Sequence, residues 1–174
     1  MDKGDKIYKA RPVIEYILDK FKHFYVPECE LSFDEGMIPT KNKLSFKQFI
    51  KDKPVRWGIK TFLVCDSENG YICNLEVYTG RREDAEEIDG LGVTGNLVVR
   101  LTREFEGKNH ELYTDRFYTS VGLAEYLLNN HDIRLCGTAM TNRREFPKAL
   151  IRKDNQMERG QFDVFYNGTV AAIV

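Results

Sequence analysis

Two aspartates close short strand-like runs in this sequence: Asp34 in Leu31-Ser32-Phe33-Asp34-Glu35-Gly36-Met37, and Asp115 in His110-Glu111-Leu112-Tyr113-Thr114-Asp115-Arg116-Phe117-Tyr118-Thr119-Ser120. Carboxylates brought side by side in a sheet would offer hard oxygen ligands to a shared divalent cation, which is what phosphate-cutting chemistry requires. Taken alone, each aspartate reads more readily as a turn former or cap, because Asp side chains bond the backbone two residues on.

The second chemically suggestive stretch is basic. Between Lys41 and Lys60 the chain carries Lys41, Lys43, Lys47, Lys51, Lys53, Arg56 and Lys60 against the single acid Asp52, interleaved with Phe46, Phe49 and Trp57. Such a run is either a solvated face or a surface that tracks phosphates, and the second reading makes Lys47, Lys51, Lys53, Arg56 and Lys60 the DNA-binding candidates. Arg143, Arg144 and Lys148 are weaker candidates of the same kind. The run Glu83-Asp84-Ala85-Glu86-Glu87-Ile88-Asp89 is acidic in turn. Gly90-Leu91-Gly92-Val93-Thr94-Gly95 matches G-x-G-x-x-G but follows an acidic loop where the dinucleotide fingerprint needs a strand, so it reads as a helix-entry loop. His23, His110 and His131 are scattered, and His110 reads as an ordinary surface residue.

These residues sit in a chain of 174 amino acids, long enough for one domain with a core. With 42% hydrophobic and 30% charged residues it has the composition of a folded protein, and 26 basic against 27 acidic side chains give no global argument for a polyanionic partner. No apolar run approaches the roughly 20 residues of a membrane span, and the start does not resemble a signal peptide, so an intracellular protein is expected. Cys29, Cys65, Cys73 and Cys136 form no C-x-x-C pair and are expected to be reduced core or strand residues.

Several elements must position the candidates. Pro12 followed by Ile14, Ile17, Leu18 and Phe21 predicts an amphipathic helix with proline in its first turn. Strands are expected at 30–34, 59–65, 71–78, 111–115 and 133–137, with Asp66 to Gly70 turning between the second and third. Asn96 to Phe105 suits a strand or a helix. Thr119 or Ser120 would cap a helix carrying Leu123, Ala124, Leu127 and Leu128, and 162–174 reads as a second hairpin. The order fits an α/β mixed sheet with helices on its faces.

Several motifs in register resemble one family. Asp5-Lys6-Ile7-Tyr8-Lys9-Ala10-Arg11-Pro12, the Asp34 segment, Lys53-Pro54-Val55-Arg56-Trp57-Gly58-Ile59-Lys60, Cys65-Asp66, the Asp115 segment, Leu123-Ala124-Glu125-Tyr126-Leu127, Cys136-Gly137-Thr138 and Asn142-Arg143-Arg144-Glu145-Phe146-Pro147 look, in that order, like the start of the catalytic domain of piggyBac-type transposases. The resemblance implies an RNase H-like fold, residues 1–28 leading into a partial domain over 29–174, and a DDE/D site. In that site Asp34 and Asp115 match the first and second catalytic aspartates and metal ligands, with Mg²⁺ as cofactor. It also implies a helix over Asn96 to Phe105, DNA as partner, a homodimer as an allowed assembly, no membrane association, and a nuclear location.

The match has departures. The family's third aspartate and its cysteine-rich zinc module lie beyond Val174, and Thr40-Lys41-Asn42-Lys43 stands where members often carry an aromatic, basic, glycine, arginine pattern. The expectation is a transposase-derived chain not competent in DNA cleavage and strand transfer alone. Its alternatives are an active transposase, if the chain belongs to a longer product, and a domesticated DNA-binding module.

Overall fold

A helix opens the described chain: α1 (Arg11–Phe24) has proline in its first turn, where a missing N–H costs nothing. The computed structural model describes residues 4–51, 53–80, 87–151 and 157–174. After α1 come β1 (Glu30–Pro39), β2 (Gln48–Phe49), β3 (Trp57–Asp66), β4 (Ile72–Val77), α2 (Gly92–Thr102), β5 (Glu111–Thr114), α3 (Val121–His131), β6 (Arg134–Gly137), β7 (Val164–Asn167) and β8 (Val170–Ile173). The acidic residues at 83–86 and Asp52 lie outside the described residues.

The main sheet runs β2-β3-β1-β5-β6, and β4 also pairs with β3. β1 is the strand where two kinds of pairing meet. It runs antiparallel to β3, from Leu31 opposite Asp66 to Pro39 opposite Gly58, and parallel to β5, from Glu30 opposite Glu111 to Phe33 opposite Thr114. β5 and β6 are parallel as well. The outer edge of β3 is divided, with β2 beside Trp57 and Gly58 and β4 beside the stretch from Thr61 to Cys65. This is the expected mixed α/β sheet flanked by helices.

β1 is longer than the strand expected over 30–34. The apolar alternation fades after Phe33, but β3 continues to supply a ladder as far as Gly58, and that close strand contact carries β1 to Pro39. A Cβ at Gly58 would lie 2.5 Å from the Ile38 carbonyl oxygen, so only glycine allows the approach. Asp34 is therefore mid-strand and does not end it. β5, conversely, stops at Thr114, one residue before Asp115.

Leu31 and Phe33 of β1, Val64 of β3, Leu112 of β5, Val98 and Leu101 of α2, and Leu123 and Leu127 of α3 form one buried cluster. α2 is buried along most of its length, which explains its ambiguous pattern: a helix covered all round loses the polar stripe that marks helical periodicity. It begins at Gly92, inside the glycine-rich run, as a helix-entry loop requires. Ser120 caps α3, its hydroxyl accepting from the Leu123 N–H at 3.2 Å. β7 and β8 form the expected hairpin as a separate sheet.

His110 corrects the surface assignment. It is 5% exposed, its ring packs edge-on against Phe105 at 5.6 Å, and its Nδ1 lies 3.2 Å from the Cys29 carbonyl oxygen. All four cysteines are free, with Cys73 buried and Cys29 and Cys136 exposed. Among the described residues, no helix is long and apolar enough to cross a membrane.

Candidate functional site: two carboxylates where a parallel ladder ends

The parallel ladder between β1 and β5 ends at Phe33 opposite Thr114, and the next residues on the two chains are Asp34 and Asp115. The structure thus brings the two sequence candidates to the same level of neighbouring strands. Beyond that level β1 goes on with β3, while the chain after β5 turns away. The difference in ladder length opens the sheet at the two aspartates.

The turn after β5 is held by its own polar groups. Asp115 Oδ1 accepts from the Phe117 N–H at 2.8 Å, the turn chemistry expected of aspartate. The Asp115 carbonyl accepts from the N–H groups of Tyr118 (3.1 Å) and Thr119 (3.0 Å) and from the Thr119 hydroxyl (2.8 Å). Thr119 Oγ1 also lies 2.7 Å from Thr114 Oγ1. Arg143 Nη2 donates to the Phe117 carbonyl and, at 3.4 Å, to that of Arg116, so this residue braces the turn.

On the β1 side Asp34 Oδ1 accepts from the Glu35 N–H at 2.7 Å, and its side chain is 59% exposed. Glu35 follows on the strand, and its Oε2 accepts from the buried Tyr118 hydroxyl at 2.9 Å. Lys53 serves both acids: its Nζ is 3.9 Å from Asp34 Oδ2 and 3.6 Å from Glu35 Oε1.

The two neighbouring acids titrate differently. Burial raises the Asp34 pKa and the adjacent Glu35 charge adds to it, outweighing the Glu35 N–H and Lys53. Burial also works against ionised Glu35, but the Tyr118 hydroxyl, Lys60 and Lys53 together bring its pKa below the usual value. The Tyr118 phenol is driven far upward, first by burial and the Glu35 hydrogen bond, then by the charges of Glu35, Asp34 and Asp115, so it donates at any physiological pH.

The basic candidates divide into groups. Lys53 is turned to the carboxylates. Lys60 Nζ lies 4.8 Å from the Phe62 ring centroid and its charge reaches Glu35. Lys47 Nζ sits 5.6 Å from the Trp57 ring centroid, and Lys51 and Arg56 are exposed.

Asp34 and Asp115 offer the hard oxygen donors a divalent cation takes, at the same level of neighbouring strands. Mg²⁺ commonly takes only one or two carboxylates and completes its shell with water and substrate phosphate. Among the described residues, no group of three or more His, Cys, Asp or Glu is arranged to hold a metal ion. Sequence reasoning missed Glu35, Tyr118 and the bracing by Arg143. Glu35 had one local signal, a carboxylate sharing the strand face of Leu31 and Phe33.

A family model described as Transposase IS4 matches residues 1–174. The chain is 30% identical over 176 residues to the human PiggyBac transposable element-derived protein 3, covering 97% of this chain and 28% of that protein. It is 26% identical over 167 residues to the human PiggyBac transposable element-derived protein 2, covering 94% of this chain and again 28% of the relative. The chain therefore spans less than a third of these curated relatives. Among solved structures, the cryo-EM structure of a piggyBac transposase synaptic complex with hairpin DNA superposes with a TM-score of 0.87 at 24% identity, over 98% of this chain and 35% of that one. That likeness is one of fold.

Proposed function

The chain belongs to the transposase IS4 family, among its piggyBac-type members, and we propose on that premise that Asp34 and Asp115 are two ligands of a Mg²⁺-dependent site acting on DNA. The observation that carries this reading is their position one step past the last paired residues, Phe33 and Thr114, of neighbouring parallel strands. A divalent cation held there would supply activation of a water or DNA 3′-hydroxyl and charge stabilisation at the leaving oxygen.

The chain's own groups have separate tasks in this reading. Asp34 and Asp115 contribute oxygens. Tyr118 fixes the Glu35 carboxylate beside Asp34, and Lys53, within reach of both acids, offsets part of the negative charge. Of the basic candidates, Lys47, Lys51 and Arg56 make the phosphate-facing surface and Lys53 and Lys60 its inner end beside the acids, giving sequence-independent and salt-sensitive affinity. Residues 1–28 are the lead-in segment and 29–174 a partial catalytic domain. A piggyBac-derived chain acting on DNA would do so in the nucleus, and as a homodimer if both strands of a transposon end are handled together.

With two carboxylates the 174 residues should bind a cation weakly and nick no DNA by themselves. Mn²⁺ titration followed by paramagnetic broadening of amide signals should show the earliest losses around 34 and 115. Asp34→Asn and Asp115→Asn should each weaken binding by about tenfold or more, the scale of removing one charged ligand. Unchanged Mn²⁺ affinity in both variants would remove the metal site. Mg²⁺-dependent nicking abolished by Asp34→Asn would overturn the expectation of inactivity.

A further inference from the structure

Phe49 of β2 and Trp57 of β3 face each other across the antiparallel ladder. Their ring centroids are 4.9 Å apart, and the rings are 50% and 56% exposed. Two large aromatic side chains, side by side and half in water away from the core, offer an apolar surface on which a partner could pack. The chain from Pro39 to Ser45 runs beside them and forms an open groove lined by Pro39, Lys41, Lys43, Leu44, Lys47 and Trp57 among others, with no carboxylate in the lining among the described residues. Lys47 leans over the indole. The platform is fixed from below, because the Gly58 backbone is pressed against Ile38.

We propose that this groove binds a single-stranded nucleic acid segment, with an unpaired base stacked on Trp57 and the flanking phosphates tracked by Lys41, Lys43 and Lys47. The inference rests on the DNA-directed reading above and adds to it a class of ligand. A base inside a duplex has both faces covered by its neighbours, so an exposed indole beside lysines selects for unpaired bases. An acidic peptide would satisfy the ammonium groups but leave the aromatic floor unused.

Trp57 is the chain's only tryptophan, so fluorescence excited at the long-wavelength edge, where tyrosine does not absorb, reports on this groove alone. Titration of the chain with oligo(dT) of about 10 nucleotides should quench that fluorescence saturably, whereas a duplex of equal length should bind with little quenching. Measured by anisotropy of labelled oligonucleotides, Trp57→Ala should weaken single-strand binding by about 10- to 100-fold and leave duplex binding within about twofold, while Trp57→Phe retains most of the affinity. Lys41→Glu with Lys43→Glu, on exposed side chains, provides a variant that leaves the ladder intact. It should reduce the salt slope by about 0.7 for each phosphate that is no longer neutralised. Equal quenching by duplex, equal losses for both ligands in Trp57→Ala, or tighter binding of a poly-glutamate peptide than of oligo(dT) would each overturn the proposal. Should single-strand binding fail while salt-dependent duplex binding persists, only this inference falls; should both fail, the DNA-directed reading falls with it.

Discussion

Asp66→Ala should destabilise the chain by about 3 kcal/mol, equivalent to a drop of about 10 °C in melting temperature for a protein of this size. Asp66 ends β3 fully buried and gathers donors from elsewhere in the chain, among them the Tyr25 hydroxyl at 2.8 Å and the N–H groups of Glu28 and Glu68, each at 2.9 Å. It thereby ties the end of α1 and the approach to β1 onto the β3–β4 turn. Removing the carboxylate leaves these donors without their acceptor, which costs more than the net value of the bonds themselves. Asp66→Asn preserves the shape with a weaker acceptor and should lose less. Urea unfolding of the three proteins decides between them, and equal midpoints would show that the cluster contributes nothing.

The same residue sets a pH dependence. Burial pushes the Asp66 pKa up, but the N–H groups of Glu28, Glu68 and Asn69 and the Tyr25 hydroxyl together hold it below the ordinary aspartate value. A depressed folded-state pKa contributes stability that is present above the unfolded value, near 3.9, and lost as pH falls through the lower folded value. The wild-type urea midpoint should accordingly fall on acidification from about pH 5 downward, more steeply than that of Asp66→Asn.

Gly137→Ala carries the other large effect. A Cβ there would lie 2.3 Å from the Thr114 carbonyl oxygen and 2.5 Å from Thr119 Oγ1. Backbone cannot yield cheaply, so β6 must move off β5 or the hydroxyl pair of Thr114 and Thr119 must break. Overpacking of this kind costs about 3 kcal/mol, or about 10 °C in melting temperature. The strain falls next to Asp115, so Mn²⁺ affinity should drop even at temperatures where the variant is folded. Gly122→Ala is the contrasting case. Its added Cβ would meet Glu145 Oε2 at 3.5 Å, ordinary contact, inside α3, where alanine is the better helix former. That variant should be neutral or up to about 1 kcal/mol more stable. If both variants melt alike, close packing at Gly137 is not what limits the site.

Legibility followed sequence distance. α1 was readable from Pro12 and the spacing of Ile14, Leu18 and Phe21, and α3 from Ser120, because caps and periodicity are local signals. The turn from Asp66 to Gly70 was readable too, Gly70 having a φ of +74°. β1 beyond Asp34 was not, since its extension depends on a partner strand and on Gly58, far along the chain. The same holds for Glu35 with Tyr118, which are 83 residues apart. Asp34 and Asp115 stood out through resemblance to a family, while their local patterns suggested turn formers, and Asp115 does form that turn. His110 reads as polar in sequence and is buried because its ring serves Phe105 and the Cys29 carbonyl.

The long antiparallel ladder has one more consequence. Asp34 opposite Leu63 and Pro39 opposite Gly58 belong to the same pairing, so the carboxylate level and the floor of the Trp57 groove are two marks on one rigid scale. They lie five residue steps apart on β1, about 17 Å at the usual rise. A single strand touching both marks would have to bridge that distance, so the ladder would fix the separation between the place where an unpaired base is held and the place where a phosphate would meet the acids.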